Sequence, residues 1–145
     1  MTLTKVLIAN RGEIAIRVAR AAAELGLGTV AVYSEDDASS LHVDAADEAV
    51  GLSGSGPAAY LDVAGVVEAA VTTGCDAIHP GYGFLAENSA LARACGEADL
   101  VFVGPSAESL DLFGEKTRAR ALAEAQGIPV LAGRNEAVCE EEATR

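Results

Sequence analysis

An α/β fold, Rossmann-like and doubly wound around a mostly parallel sheet, is what this 145-residue sequence predicts. Three observations carry it. Short apolar runs with a β-branched bias alternate with segments of helical period. The runs are continuous, as in strands buried on both faces, and glycines stop the helical segments.

Lys5 to Ala9 reads as a strand and Asn10-Arg11-Gly12 as a tight turn. A helix follows in which Ile14, Val18, Ala21 and Leu25 share one face, while Glu13 with Arg17 and Arg20 with Glu24 stand at i,i+4 spacing on the wet side. Gly26 and Gly28 end it, and Thr29 to Tyr33 is a second buried strand, completing a parallel βαβ unit. Ser34 to Ser40 is a polar loop whose Asp36-Asp37 doublet suits a solvated turn better than a cation site. Glu48 to Leu52 predicts a weak third strand before the Ser53 to Pro57 turn cluster. Asp62 is placed to cap a helix with Val63, Val66, Val67 and Ala70 inward; Gly74 ends it and Asp76 to His79 is the next strand. Glu87 to Glu97 reads as a helix and Leu100 to Val103 as a strand. Ser106 caps a short helix, Glu115 to Gln126 forms another, and Gly127 precedes the strand-like Ile128 to Val130.

Half of the residues are apolar, which suits one compact domain, placed at residues 1–133. Residues 134–145 turn polar, with Glu136 and Glu140 to Glu142, and read as an acidic linker. The whole then resembles the first domain of something longer, or a piece cut from it. A net charge of −12 repels phosphate backbones and anionic lipid, so neither nucleic acid nor a membrane surface is expected as a partner. Cys75, Cys95 and Cys139 are odd in number and form no Cys-x-x-Cys pair, so neither a disulfide framework nor a zinc site is indicated. With no signal peptide or membrane span at the N-terminus, a cytoplasmic location is expected.

In an open α/β sheet, ligands sit beyond the carboxyl ends of the strands. Three segments there stand out. In Asn10-Arg11-Gly12-Glu13, Arg11 is placed either to contact an anion at a helix N-terminus or to fix the turn through nearby carbonyls and carboxylates. The string lacks both the dinucleotide and the P-loop glycine patterns. In His79-Pro-Gly-Tyr-Gly-Phe-Leu85, Gly81 and Gly83 permit positive φ and a close backbone approach by a ligand, against the alternative that His79 and Tyr82 only hold a tight turn. For His79 itself packing is the better reading, because no ligand-spaced partner accompanies it. Third, Lys116 opens the last helix beside Gly114, where a cation works against the helix dipole. A nucleotide phosphate would take up that charge, and pairing with Glu115 is the ordinary alternative. No serine or cysteine sits on a nucleophile elbow, and no acid/base pair follows from spacing.

Ile8 to Ile14 with Arg17 and Arg20, His79 to Leu85 with Glu87-Asn88, Phe102-Val-Gly-Pro105 and Gly114-Glu-Lys116 together resemble biotin carboxylases, over about Lys5 to Gly133. The resemblance is to the N-terminal, pre-ATP-grasp domain shared by biotin-dependent acyl-CoA carboxylases, pyruvate carboxylase and urea carboxylase. It implies an enzyme, an ATP-dependent ligase, that uses MgATP and bicarbonate to make carboxyphosphate and carboxylates biotin on a carrier protein. ATP, Mg2+ and biotin are thus the implied cofactors. The partners it implies are the remainder of the carboxylase chain, a biotin carboxyl carrier domain, a carboxyltransferase and a second copy in a homodimer. By the same resemblance Lys116 contacts nucleotide phosphates, Tyr82 and Gly83 wall the biotin and bicarbonate pocket, and Arg20 and Glu24 are dimer-contact candidates. Catalytic residues and magnesium ligands lie beyond Arg145 in that family, so none is expected here and the isolated piece should be inactive. Ala86 stands where Ser is usual and Asp99 where Gly is usual. Two other readings compete: another ATP-grasp ligase such as a carbamoyl-phosphate synthetase, which the His79 to Leu85 string does not fit, and a non-catalytic dimerisation module.

Overall fold

Five strands, all parallel, form one sheet in the order β3-β2-β1-β4-β5 in a computed structural model that describes residues 2–131. They are β1 (Lys5–Ile8), β2 (Gly28–Tyr33), β3 (Glu48–Gly51), β4 (Ala77–His79) and β5 (Val101–Phe102). The helices are α1 (Gly12–Glu24), α2 (Leu41–Asp44), α3 (Val63–Thr72), α4 (Ser89–Glu97), α5 (Ala107–Gly114) and α6 (Lys116–Ala125). The chain divides into two compact units after Ala107. The sheet lies in the first, and α6 in the second.

Side-chain alternation along β1 decides the two faces of the sheet. Leu7 joins the main core, with Val30, Val32 and Ile78 from the neighbouring strands, Val66 and Ala70 of α3, and Leu91 and Cys95 of α4. Ile8 points the other way, into Ala15, Val18 and Ala19 of α1, and Val6 packs there against Ala22 and Ala77. Alanine on α1 lets this helix lie close to the strands. Burial pushes the Cys95 thiol up to about 11, so it behaves as a small apolar side chain in the core.

Carboxylates hold the amino ends of the strands. The Asp76 carboxylate accepts from Thr4 N at 2.6 Å and Lys5 N at 2.9 Å, tying β1 to β4. Asp47 accepts from Thr29 N and Oγ1, both at 2.8 Å, and Lys5 Nζ reaches Glu48 at 2.7 Å. With that edge stapled, the carboxyl edge is left for longer loops.

Several boundaries differ from the sequence expectation for physical reasons. The fourth helix starts at Ser89 because Asn88 Oδ1 caps it, accepting from Ala90 N at 2.8 Å and Leu91 N at 3.2 Å. Asp62 stands at the N-cap of α3, but its side chain makes no capping bond. Within the 34–40 loop, Glu35–Asp37 forms a 3-10 turn. Ile128 to Val130 pairs with no strand and is irregular. Gly133, the 134–145 linker and Cys139 lie outside the described residues.

Candidate functional site

The chain winds outward from β1 to β3, then returns across the sheet to place β4 on the other side of β1. The carboxyl ends of β1 and β4 therefore meet where the winding reverses, the usual place for a ligand crevice in such sheets. Ala9 N donates to His79 O at 2.9 Å and extends their pairing to the last residue. The two segments that follow are Asn10 to Glu13 and Pro80 to Leu85, which the sequence singles out separately and the fold brings side by side.

Asn10 joins them. Buried to 2% exposure, its amide donates to Pro80 O at 2.7 Å and Tyr82 O at 2.8 Å, while its Oδ1 accepts from Arg11 N at 2.9 Å. Gly81 is required by this closeness as well as by its φ of +65°, because a Cβ there would lie 2.7 Å from Asn10 Nδ2. Gly83 shares the same φ, yet a Cβ there would meet nothing within 4 Å. Among the described residues, nothing accepts from the Tyr82 and Gly83 N–H groups.

Tyr82 is 59% exposed and its hydroxyl donates to the Glu13 carboxylate at the start of α1, which pushes the phenol pKa up. The i,i+4 pairs expected on α1 do not form among the described residues. Glu13 has turned to Tyr82, and Arg17, Arg20 and Glu24 remain exposed along the helix without an ion pair. His79 is a packing residue, as the sequence suggests: its Nδ1 accepts from Gly81 N at 3.0 Å, and burial lowers its pKa, keeping it neutral.

Arg11 proves to be a turn-fixing residue through a partner the sequence reading did not connect to it. Its Nη1 donates to Asp37 Oδ2 at 3.0 Å, beyond the end of β2. That carboxylate also accepts from the Tyr60 hydroxyl at 2.8 Å and from Ser40 Oγ at 3.0 Å. Burial pushes the Asp37 carboxyl up, but the Arg11 guanidinium with the Tyr60 and Ser40 hydroxyls outweighs it and holds the pKa at about 2. Within the doublet, Asp37 is thus an anchor for Arg11, while the exposed Asp36 accepts from Ser34 Oγ and Gly56 N, both at 2.7 Å. Opposite charges after adjacent parallel strands were the available signal.

Lys116 belongs to the second unit, where it is the first residue of α6 and exposed. The ordinary pairing with Glu115 is absent: Glu115 Oε1 accepts from Thr117 Oγ1 at 2.8 Å, and its Oε2 lies 3.7 Å from Arg118 Nε. Lys116 has no ion pair among the described residues. No group of three or more His, Cys, Asp or Glu among them is placed to hold a metal ion, and no helix is long and apolar enough to cross a membrane.

Residues 2–110 match the family model described as biotin carboxylase, N-terminal domain. The chain belongs to that family. A pyruvate carboxylase of Bacillus subtilis is 54% identical over 135 residues, 91% of this chain and 12% of that protein. The biotin carboxylase domain of a single-chain bacterial carboxylase superposes with a TM-score of 0.92 at 57% identity, over 97% of this chain and 33% of that one. The biotin carboxylase domain dimer of Hydrogenobacter thermophilus 2-oxoglutarate carboxylase, in complex with MgADP and bicarbonate, gives a TM-score of 0.90 at 41% identity, over 99% of this chain and 32% of that one. The chain thus spans a third or less of these relatives. Within this biotin carboxylase N-terminal domain, Asp99 adopts a φ of +57°, so the left-handed turn before β5 is formed by an aspartate, with Leu100 N donating to Cys95 O at 2.8 Å.

Proposed function

We propose that the chain serves as the N-terminal domain of an ATP- and bicarbonate-dependent biotin carboxylase, part of an acyl-CoA or pyruvate carboxylase working in the cytoplasm. The observation that carries this reading is the His79 to Leu85 loop, docked on Asn10 at the point where the winding reverses, in a chain of this family. ATP supplies the phosphoryl group that activates bicarbonate, and biotin accepts the carboxyl group. Tyr82 and the bare backbone at Gly83 form a wall of the biotin and bicarbonate pocket. They offer a phenol and free N–H groups on a loop whose carbonyls are turned inward by Asn10. Lys116 supplies an uncommitted cation for nucleotide phosphate oxygens.

Arg20 and Glu24, unpaired on α1, are the contact residues of a homodimer, and the carrier domain and carboxyltransferase are the further partners. Magnesium would be held outside the described residues. In the full-length protein, Lys116→Gln should raise the KM for ATP about tenfold to a hundredfold, the loss of one charged contact worth ~1.5–3 kcal/mol. Unchanged KM and kcat would return Lys116 to an ordinary helix surface, and failure of the full-length protein to carboxylate free biotin would overturn the proposed reaction.

A further inference from the structure

The loop that carries Tyr82 and Gly83 is held at both ends by consecutive residues of one strand end. Asn10 grips its start through Pro80 O and Tyr82 O. At its other end, Phe84 has a φ of +38°, a left-handed conformation that costs a bulky residue about 1–3 kcal/mol and persists only when its surroundings over-determine it. Those surroundings are the core, against which Phe84 packs, and Arg11. The Arg11 guanidinium carbon lies 5.8 Å from the Phe84 ring centroid and 5.6 Å from that of Tyr60, and the two rings are 5.2 Å apart. Distances under about 6 Å are those of cation–π attraction. Asp37 fixes the cation in this place, and the same carboxylate oxygen accepts the Tyr60 hydroxyl, so the aromatic pair and the guanidinium share one anchor. Asp37 thus matches the charge of Arg11 and holds its guanidinium beside both rings.

We infer that Arg11 is a positioning residue for the loop Gly81 to Phe84, keeping Tyr82 and Gly83 in place through Phe84. This rests on the reading of Tyr82 and Gly83 as a biotin pocket wall. A planar guanidinium both stacks on the rings and pairs with Asp37; an ammonium keeps the charge and loses the plane. The Arg11 side chain is 36% exposed, so its replacement leaves the apolar core filled.

The test uses full-length protein with Arg11→Gln, Arg11→Lys and Tyr82→Ala, measuring KM for free biotin, KM for ATP and thermal unfolding. Both Arg11 variants should raise the biotin KM about fivefold or more, with the ATP KM within about twofold of wild type and a melting temperature only a few degrees lower, Arg11→Gln losing the Asp37 pair and Arg11→Lys keeping its charge. Arg11→Lys serves if Arg11→Gln fails to fold. If the Arg11 variants leave the biotin KM unchanged while Tyr82→Ala raises it, the positioning role is overturned and the pocket reading stands. If all three leave it unchanged, the pocket reading fails and the inference with it. A joint rise of both KM values that tracks a falling melting temperature would also overturn the inference, making Arg11 a holder of the fold alone.

Discussion

Protonation of Asp37 should loosen the anchor beneath the candidate site. Its folded pKa of about 2 lies below the ordinary 3.8, so the unfolded chain binds its proton more readily. The stability it contributes is therefore fully present above about pH 4 and is lost as pH falls through about 2, amounting to about 1–2 kcal/mol after solvent screening. Asp37→Asn should lower stability by that amount at neutral pH, and the gap from wild type should narrow on acidification, read by urea unfolding between about pH 7 and 2.5. A gap that stays constant with pH would mean that the carboxylate's charge is not what holds Arg11. The residue scale is also where sequence left most open. Whether Arg11 meets an anion or fixes its turn depends on Asp37, 26 residues away, and whether Glu13 pairs with Arg17 depends on Tyr82, 69 residues away.

Loops between elements were legible by their glycines, but the reason for each glycine was not. Gly81 and Gly83 have the same φ, and only Gly81 faces a close neighbour. Gly81→Ala should therefore lower the melting temperature more than Gly83→Ala. Both carry left-handed strain of about 1 kcal/mol or more, while the first also drives a methyl group into Asn10. Equal losses would show that the contact with Asn10 is soft. The turn before β5 offers the opposite experiment. Asp99 is exposed and sits at a φ of +57°, so Asp99→Gly should stabilise the domain by about 0.5 kcal/mol, strain relief exceeding the added freedom of the unfolded chain. A loss of stability would mean that the aspartate side chain earns its place in the turn. Most helices and strands followed from hydrophobic period, but the short α2 did not, and Ile128 to Val130, lacking a partner strand, forms none; ends such as Ser89 were set by a cap.

At the scale of the whole molecule, α1 runs from the candidate site at Glu13 to an exposed stretch where Arg17, Arg20 and Glu24 have no ion pair among the described residues. If a second copy completes these charges, Arg20→Glu should shift the full-length protein from dimer toward monomer in sedimentation at micromolar concentration, more so at low salt. An unchanged dimer would remove Arg20 from the interface. The α/β class, the alternation of elements and the membership in the biotin carboxylase N-terminal family were determined by sequence alone, because apolar period and local strings of residues are properties of neighbours along the chain. Only the tertiary structure decided that β4 returns beside β1, that Asn10 closes on the glycine loop, and that Arg11 is matched by Asp37. Those are contacts between residues far apart in sequence, and they exist only once burial of Leu7, Val30 and Ile78 in one core has fixed the strand order.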